Sequence, residues 1–297
     1  RNVAGTLEAE AYGRVAAVAL DPIEKKPLFH FYPGARVYSL GSLGCNFRCE
    51  YCQNWSLSQS RPPLEPLPPS RAAAEAKAAG AVGMAFTYNE PLINLEYVLA
   101  CAEEARAAGL RTIVVSNGYI LPAPLAKLLP WVDAWNIDLK SIRPEFYRRM
   151  CGGELEPVQD TIRAASAAAH VELTCLLVTN ANDGETDVRD WVEWVAGVSP
   201  EIPVHFSRYF PQYHWEAPPT PPARLRRAIE IAGRRLAWVY AGNWADGESS
   251  THCPQCGEML IRREGYAATA VDVAAGGCPK CGRHVPGRFE APGGRPA

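Results

Sequence analysis

Two rhythms of apolar positions alternate along most of the chain. Short β-branched or apolar runs at 36–43, 82–87, 112–116, 135–139, 171–178 and 204–209 predict strands. Between them, apolar residues recur three and four positions apart and predict helices. The first is an Ala-rich helix with Ser70 as its expected cap and Gly80 at its end. The next spans 93–108 and is closed by Gly109; others follow at 121–129, 158–169, 188–196 and 222–235, the last leading to a final run at 238–240. Regular strand–helix alternation predicts a parallel sheet covered by helices, an α/β fold. Six or seven units between residues 36 and 244 suit an open, partial (β/α)6 barrel of the TIM type better than a closed eight-unit one, which takes about 250 residues. Residues 1–35 read as an extended or hairpin lead-in, and the proline-rich run 61–69 as a stiff connector. From 245 to 297 the periodicity stops, and a Cys-, Gly- and Pro-rich tail predicts a separate small module.

Composition narrows the class. With 297 residues, 47% of them hydrophobic, the chain can bury one large core plus a small module. No apolar run approaches the roughly 18 residues that span a bilayer, and no charged-then-apolar leader opens the sequence, so a soluble, cytoplasmic protein without a membrane partner is expected. A net charge of −2 gives no global attraction to nucleic acid, and Arg224, Arg226, Arg227, Arg234 and Arg235 read as a solvated helix face.

Ten cysteines change the picture, because seven fall in tight clusters. Disulfide frameworks belong to small secreted domains, whereas gaps of two and three residues suit metal ligands. Cys45, Cys49 and Cys52 form Cx3Cx2C on a loop just past a predicted strand. Three thiolates leave one iron of a four-iron cluster without a protein ligand, and an open position separates a reacting metal centre from a sealed one. A structural zinc site would need a fourth ligand, for which His30 is the near histidine.

The loop resembles the Cx3CxΦC motif of the radical S-adenosylmethionine (SAM) superfamily, with Tyr51 as the aromatic residue. Tyr51-Cys52-Gln53-Asn54 is similar to the Tyr-Cys-His-Asn of pyruvate formate-lyase activating enzymes, with Gln53 in place of His. Together with Asp21-Pro22-Ile23-Glu24-Lys25-Lys26-Pro27-Leu28, Phe31-Tyr32-Pro33-Gly34, Phe86-Thr87-Tyr88-Asn89-Glu90-Pro91 and Trp135-Asn136-Ile137-Asp138-Leu139-Lys140, it resembles the radical SAM enzymes of the AmmeMemoRadiSam system over nearly the whole chain. Members usually carry a further Cys-rich segment ahead of this point. The chain opens on Arg1 rather than Met, so an upstream segment is expected.

The resemblance implies a [4Fe–4S] cluster on Cys45, Cys49 and Cys52 that binds SAM and cleaves it reductively to methionine and a 5′-deoxyadenosyl radical, which abstracts hydrogen from a substrate. It also implies a low-potential electron donor of flavodoxin or ferredoxin type. Glu90 stands at the Glu of the superfamily's Gly-Gly-Glu-Pro and would accept from the methionyl ammonium; it is also placed to cap the next helix. Ser116 and Asn117 match a ribose-contacting turn, though Asn-Gly is a good turn dipeptide in its own right. Asp138 and Lys140 match positions that flank the SAM site in activating enzymes, where Asp138 matches a monovalent-cation ligand; Val115 replaces an acidic residue there, which leaves the cation open. Arg208 is a candidate for the SAM carboxylate or an anionic substrate, and His205 and Ser207 share its strand end. Cys101 and Cys175 read as core, while Cys151 lies in a loop within possible reach of the site.

In the tail, Cys253-Pro-Gln-Cys256-Gly and Cys278-Pro-Lys-Cys281-Gly are knuckles that suit a four-cysteine zinc ribbon, with rubredoxin-like iron as the alternative. Such a closed site folds a tail too small for its own core. The substrate stays open between a glycine of a partner protein, as in glycyl-radical activation, and a small molecule or different protein. The departures at Gln53 and Tyr88-Asn89 favour the second. A non-catalytic iron–sulfur and zinc scaffold, or an electron-transfer module, is the rival reading.

Overall fold

The computed structural model describes residues 2–7, 9–244, 249–273 and 276–290. Arg1, the expected module boundary at 245 and residues 291–297 lie outside them. One eight-stranded sheet dominates, and its spatial order follows the chain: β1 (Ala17–Pro22), β2 (Arg36–Gly41), β3 (Gly83–Phe86), β4 (Arg111–Ser116), β5 (Ala134–Asp138), β6 (His170–Leu177), β7 (Val204–Arg208) and β8 (Val239–Gly242). β1 is antiparallel to β2 and every later pair is parallel. β1 and β8 are not paired with each other, so the barrel is open.

Helices α1 (Pro69–Ala78), α2 (Leu95–Ala107), α3 (Pro122–Leu128), α4 (Glu156–Ala168), α5 (Glu185–Val198) and α6 (Pro222–Ala232) alternate with β2 to β8 and give the expected six strand–helix units. Their cover explains the unbroken apolar runs: all of β3 is buried, as are four of the five residues of β5. The largest fully buried side chains include Trp135 and Trp191, and the Trp191 indole N–H donates to the Leu139 carbonyl at 2.8 Å.

Local chemistry sets the ends. α1 begins one residue before the expected cap: Pro68 is the N-cap and Pro69 the first helical residue, with no side-chain capping bond from Ser70. Proline suits that position because its missing N–H would have no partner there. Gly80 and Gly109 follow the ends of α1 and α2, each with positive φ. Leu95 rather than Ile93 opens α2, because Pro91–Asn94 forms a 3-10 turn first. The connector at 61–69 docks its Glu65–Pro66 strand antiparallel to Arg14–Val15.

Residues ahead of Arg36 are built into the barrel through β1. They also meet the tail, where β9 (Thr251–His252), β10 (Met259–Glu264) and β11 (Ala267–Val271) form an antiparallel sheet. Phe29, Trp238 and Tyr240 share a core with Leu260, Ile261, Val285, Phe289 and two cysteines of the tail. A chain of hydrogen bonds runs through this seam. Arg263 Nη1 donates to Thr251 Oγ1 (2.8 Å), Thr251 contacts the Tyr240 hydroxyl (2.9 Å), and that hydroxyl meets His30 Nε2 (2.6 Å). His30 Nδ1 faces the Pro286 carbonyl at 2.8 Å, so Nδ1 carries the proton and Nε2 accepts. Burial holds His30 far down, at about 3, so the imidazole stays neutral. No helix among the described residues is long and apolar enough to cross a membrane.

Candidate active site

The cysteine loop leaves β2 at the carboxyl end of the sheet and is tied down from two sides. Arg48 N donates to the Cys151 carbonyl (2.7 Å) and Glu50 N to that of Met150 (3.1 Å), both on a π-helical turn, Tyr147–Cys151. Phe47 packs so closely on Gly153 that a Cβ there would sit 2.3 Å from its ring. From the other side Asn89 accepts Ser42 N on Oδ1 (2.9 Å) and donates Nδ2 to the Gly44 carbonyl (3.0 Å).

Cys45, Cys49 and Cys52 line one cavity of about 490 Å³, together with Tyr51, Glu90, Ser116, Asn117 and Asp138. That volume is of small-molecule size. Burial pushes the Cys45 and Cys52 thiols up, Cys45 to about 12 with Glu90 adding to the effect, and Cys49 is raised first by its hydrogen bond with Cys151 and then by burial. Donors aimed at sulfur oppose this: Phe47 N reaches Cys45 Sγ at 3.3 Å, Asn117 Nδ2 at 3.6 Å, and Ser58 Oγ lies 3.1 Å from Cys52 Sγ. Such donors favour thiolates once a metal displaces the protons. Cys151 is fully buried behind the loop, with its sulfur 3.4 Å from the Tyr51 hydroxyl, and does not line the cavity. The cavity lining among the described residues therefore holds three cysteines.

Glu90 is the best-determined polar group of the site. It is 2% exposed, and Oε1 accepts the Ser116 hydroxyl (2.8 Å) and Leu92 N (3.0 Å), while Oε2 accepts Asn117 N (2.8 Å). It caps the 3-10 turn, one of the two roles left open from sequence, and also binds the end of β4. Burial raises it to about 7 despite those donors and the Lys140 charge. Each oxygen of a carboxylate has two lone pairs, so Oε2 keeps one acceptor position.

Tyr88 and Asn89 replace the superfamily glycines, and Tyr88 keeps a glycine-like backbone with φ +72°. Residues held there cost free energy and persist when surroundings fix them. Here the Tyr88 hydroxyl donates to Asp21 and its ring lies 4.4 Å from the Lys26 ammonium, which itself pairs with Asp21 at 2.7 Å. Burial would raise Asp21, but bonds from Lys26 and Tyr88 outweigh it and hold the carboxyl well below its usual range. Asp21, Lys26 and Tyr88 line the same cavity as the cysteines.

Asp138 is met by Lys140 Nζ at 2.9 Å. Burial works against the Lys140 charge, but Asp138 and the neighbouring thiols outweigh it and keep the ammonium protonated. Arg208 does not join this group. Its Nε donates to the Thr220 carbonyl (2.8 Å), its guanidinium lies over Phe210, and it does not line the cavity. Strand parity explains it: His205 and Ser207 share one face of β7 and Arg208 takes the other. His205 Nε2 lies 2.7 Å from Oε2 of the fully buried Glu172, whose Oε1 accepts His30 N (2.7 Å). Ser207 does line the cavity, as do Asn136, Thr174 and Tyr266, which sequence reasoning missed. Asn136 carries a parity signal, being two residues from Asp138 on the same strand; Thr174 and Tyr266, the latter on the tail's β10–β11 turn, carry none.

In the tail, the sulfurs of Cys253, Cys256, Cys278 and Cys281 all lie within 4.8 Å of one another, with 3.6 Å for Cys253–Cys281 and for Cys256–Cys278. Zinc–sulfur bonds of about 2.3 Å in a tetrahedron put sulfurs about 3.8 Å apart, so the four can hold a single metal ion. Cys45, Cys49 and Cys52 form no such tight group.

An open α/β barrel with three cysteines and a buried glutamate converging at the strand ends defines a class, and the sequence agrees. The chain belongs to the radical SAM superfamily, whose sequence profile matches residues 40–194. It is 40% identical over 294 residues to MJ0808, an uncharacterized protein of Methanocaldococcus jannaschii, covering 96% of this chain and 87% of that one. It is 31% identical over 184 residues to a GTP 3′,8-cyclase of Geobacter sulfurreducens, spanning 58% of this chain and 55% of the cyclase. Among solved structures, a radical SAM methyltransferase from Sphaerobacter thermophilus shares the fold at TM-score 0.56 and 16% identity, over 77% of this chain and 71% of that one. The protein is thus a radical SAM superfamily enzyme, and its family implies a [4Fe–4S] cluster and SAM.

Proposed function

We propose that this enzyme reductively cleaves SAM and directs the resulting radical to abstract hydrogen from a substrate that is not a glycyl-radical protein. The observation that carries the reading is the convergence of Cys45, Cys49 and Cys52 with Glu90 on one cavity that has no fourth cysteine among the described residues. A [4Fe–4S] cluster on these cysteines would supply the electron that breaks the sulfonium S–C bond, giving methionine and a 5′-deoxyadenosyl radical.

The chain's own residues do the rest. The open lone pair on Glu90 Oε2 receives an N–H of the methionyl amino group, a charge-assisted bond to a buried carboxylate. Asn117 hydrogen-bonds Cys45 with its side chain and Glu90 with its backbone, coupling the cysteine loop to the SAM pocket. Ser116 and Asn117 are the residues nearest a ribose. The Lys140 ammonium steadies negative charge at Cys49. Asp138 is neutralised by that lysine, which supports a site without a monovalent cation. The electron arrives from a low-potential donor of flavodoxin or ferredoxin type. The tail cysteines hold zinc in a structural role.

Glycyl-radical activation is the second reading, favoured by the likeness of the cysteine loop to activating enzymes. Gln53 in place of His, and Tyr88-Asn89 in place of two glycines, argue for another substrate. Deuterium transfer tests the choice. A deuterated small molecule or non-glycyl protein that passes label into 5′-deoxyadenosine supports the proposal; label passing only from a glycine of a partner enzyme refutes it.

A further inference from the structure

Beside the SAM-sized cavity lies a second one of about 610 Å³, and its walls come from two parts of the fold. β7 and β8 contribute His205, Ser207, Ala241 and Gly242; the tail contributes Ser249, Gly265 and Tyr266. Lys25, Pro27, Gln53, Ser207, Asn243 and Tyr266 line both cavities, so the two meet along these residues. A group at that junction is next to the place where a SAM-derived radical would form.

The chemistry of the two ends differs. The walls of the second cavity are aromatic, with Phe29, Phe210 and Trp244, and Tyr266 belongs to both cavities. The His205 ring on the floor is fixed by Glu172 at 2.7 Å and sits edge-on to Phe29 at 4.7 Å. At the junction the amide nitrogen of Gln53 is committed to the carbonyls of Tyr51 and Phe210, and that of Asn243 to the Arg208 carbonyl. Gln53, with both amide hydrogens in use, offers only its oxygen, an acceptor, while Asn243 offers its oxygen and one remaining N–H, beside the Ser207 hydroxyl. Lys25 adds a cation, half-exposed and 3.2 Å from Asp21. Flat aromatic walls favour a planar ring, and paired acceptors favour a ligand that donates.

The hairpin that closes the cavity is anchored rather than loose. Arg263 on β10 is buried, donates to the Phe29 carbonyl and to Thr251, stacks over the Phe29 ring at 4.3 Å and lies 3.6 Å from buried Glu24. Two charges removed from water in this way hold only if each keeps the other, so the β10–β11 turn that carries Tyr266 has a fixed place over the barrel.

We propose that the second cavity is the substrate site, and that it takes a small planar aromatic or heteroaromatic compound bearing a hydroxyl or amino donor toward the junction, with Tyr266 of the metal-binding tail as its roof. This assignment of substrate class rests on the SAM-cleavage reading above. The tail then belongs to the active site instead of being a remote folding clamp.

The test is a matched pair of probes on the anaerobic, cluster-loaded, SAM-bound full chain: 4-hydroxybenzoate and its saturated analogue 4-hydroxycyclohexanecarboxylate, titrated by calorimetry. They carry the same polar groups, and one is flat. The aromatic probe is expected to bind roughly tenfold tighter. Tyr266→Ala should weaken it about fivefold while Tyr266→Phe restores it, a pattern that general loss of folding would not give. Equal affinity of the two probes, or unchanged binding in Tyr266→Ala, overturns the proposal. Release of 5′-deoxyadenosine by the same wild-type sample without probe, after reduction with dithionite, checks the parent reading separately. Normal release with no preference for the flat probe defeats the cavity assignment alone. Selective probe binding without any release defeats the cleavage reading, and with it the claim that the occupant is a substrate.

Discussion

The backbone N–H of Asn117 points at Oε2 of Glu90 from 2.8 Å, while the side chain of the same asparagine reaches Cys45 Sγ at 3.6 Å. One residue at the end of β4 thus joins the acidic side of the cavity to the cysteine loop. Removing the Glu90 carboxylate should undo both its pull on SAM and its hold on Ser116 and Asn117. Glu90→Ala is expected to weaken SAM binding roughly 10- to 100-fold, the effect of losing a charge-assisted bond in a buried site. Glu90→Gln should lose less. Calorimetric titration of SAM into the cluster-loaded variants checks the order.

Glu90 also sets a pH dependence. Its pKa is raised from 4.5 to about 7 by burial, so the protonated carboxyl persists in the folded protein where the unfolded chain has already ionised. Stability from this group is complete below 4.5 and is lost as pH rises toward 7. SAM binding runs the other way: the accepting carboxylate forms only as pH rises through about 7, so affinity should increase over that range. Lys140 is the titratable group that opposes the rise of the Glu90 pKa, and Glu90 in turn raises Cys45. Glu90→Gln should flatten both the affinity profile and the melting-temperature profile of the apoprotein.

Asn89→Ala removes the two bonds that fix the cysteine loop at Ser42 and Gly44. A loss on the order of 1–2 kcal/mol in stability is expected from that pair, measurable by denaturant unfolding. Cluster reconstitution, followed by iron content and visible absorbance, should become slower and less complete.

Arg263→Ala leaves the Glu24 carboxyl buried without its cation. Breaking such a pair from one side typically costs 3–5 kcal/mol. The loss should appear as early protease cleavage of the tail, with metal released from the four-cysteine site at lower chelator concentrations than in the wild type.

Much of the fold was legible because parallel strands covered on both faces leave continuous apolar runs, as at Gly83–Phe86 and Arg111–Ser116. The cysteine positions were legible because metal ligation constrains spacing along a loop. β1 was not, since its half-buried alternation at an antiparallel edge carries no sign of its partner. Arg208 was placed at the site by its position near a strand end alone; its parity with His205 and Ser207 argued for the opposite face. The wall formed by Asp21, Lys26 and Tyr88 and the roof at Tyr266 depend on contacts between segments far apart in sequence, which no local pattern records.

The central claim is that three protein thiolates and no fourth leave room for SAM to be cleaved. The most direct measurement is the anaerobic conversion of SAM by reconstituted, dithionite-reduced protein, followed by chromatography of the products. Wild type is predicted to yield 5′-deoxyadenosine and methionine in equal amounts, and Cys49→Ala to yield neither. Unchanged turnover in Cys49→Ala, or a wild-type protein that binds only zinc at Cys45, Cys49 and Cys52, would contradict the account.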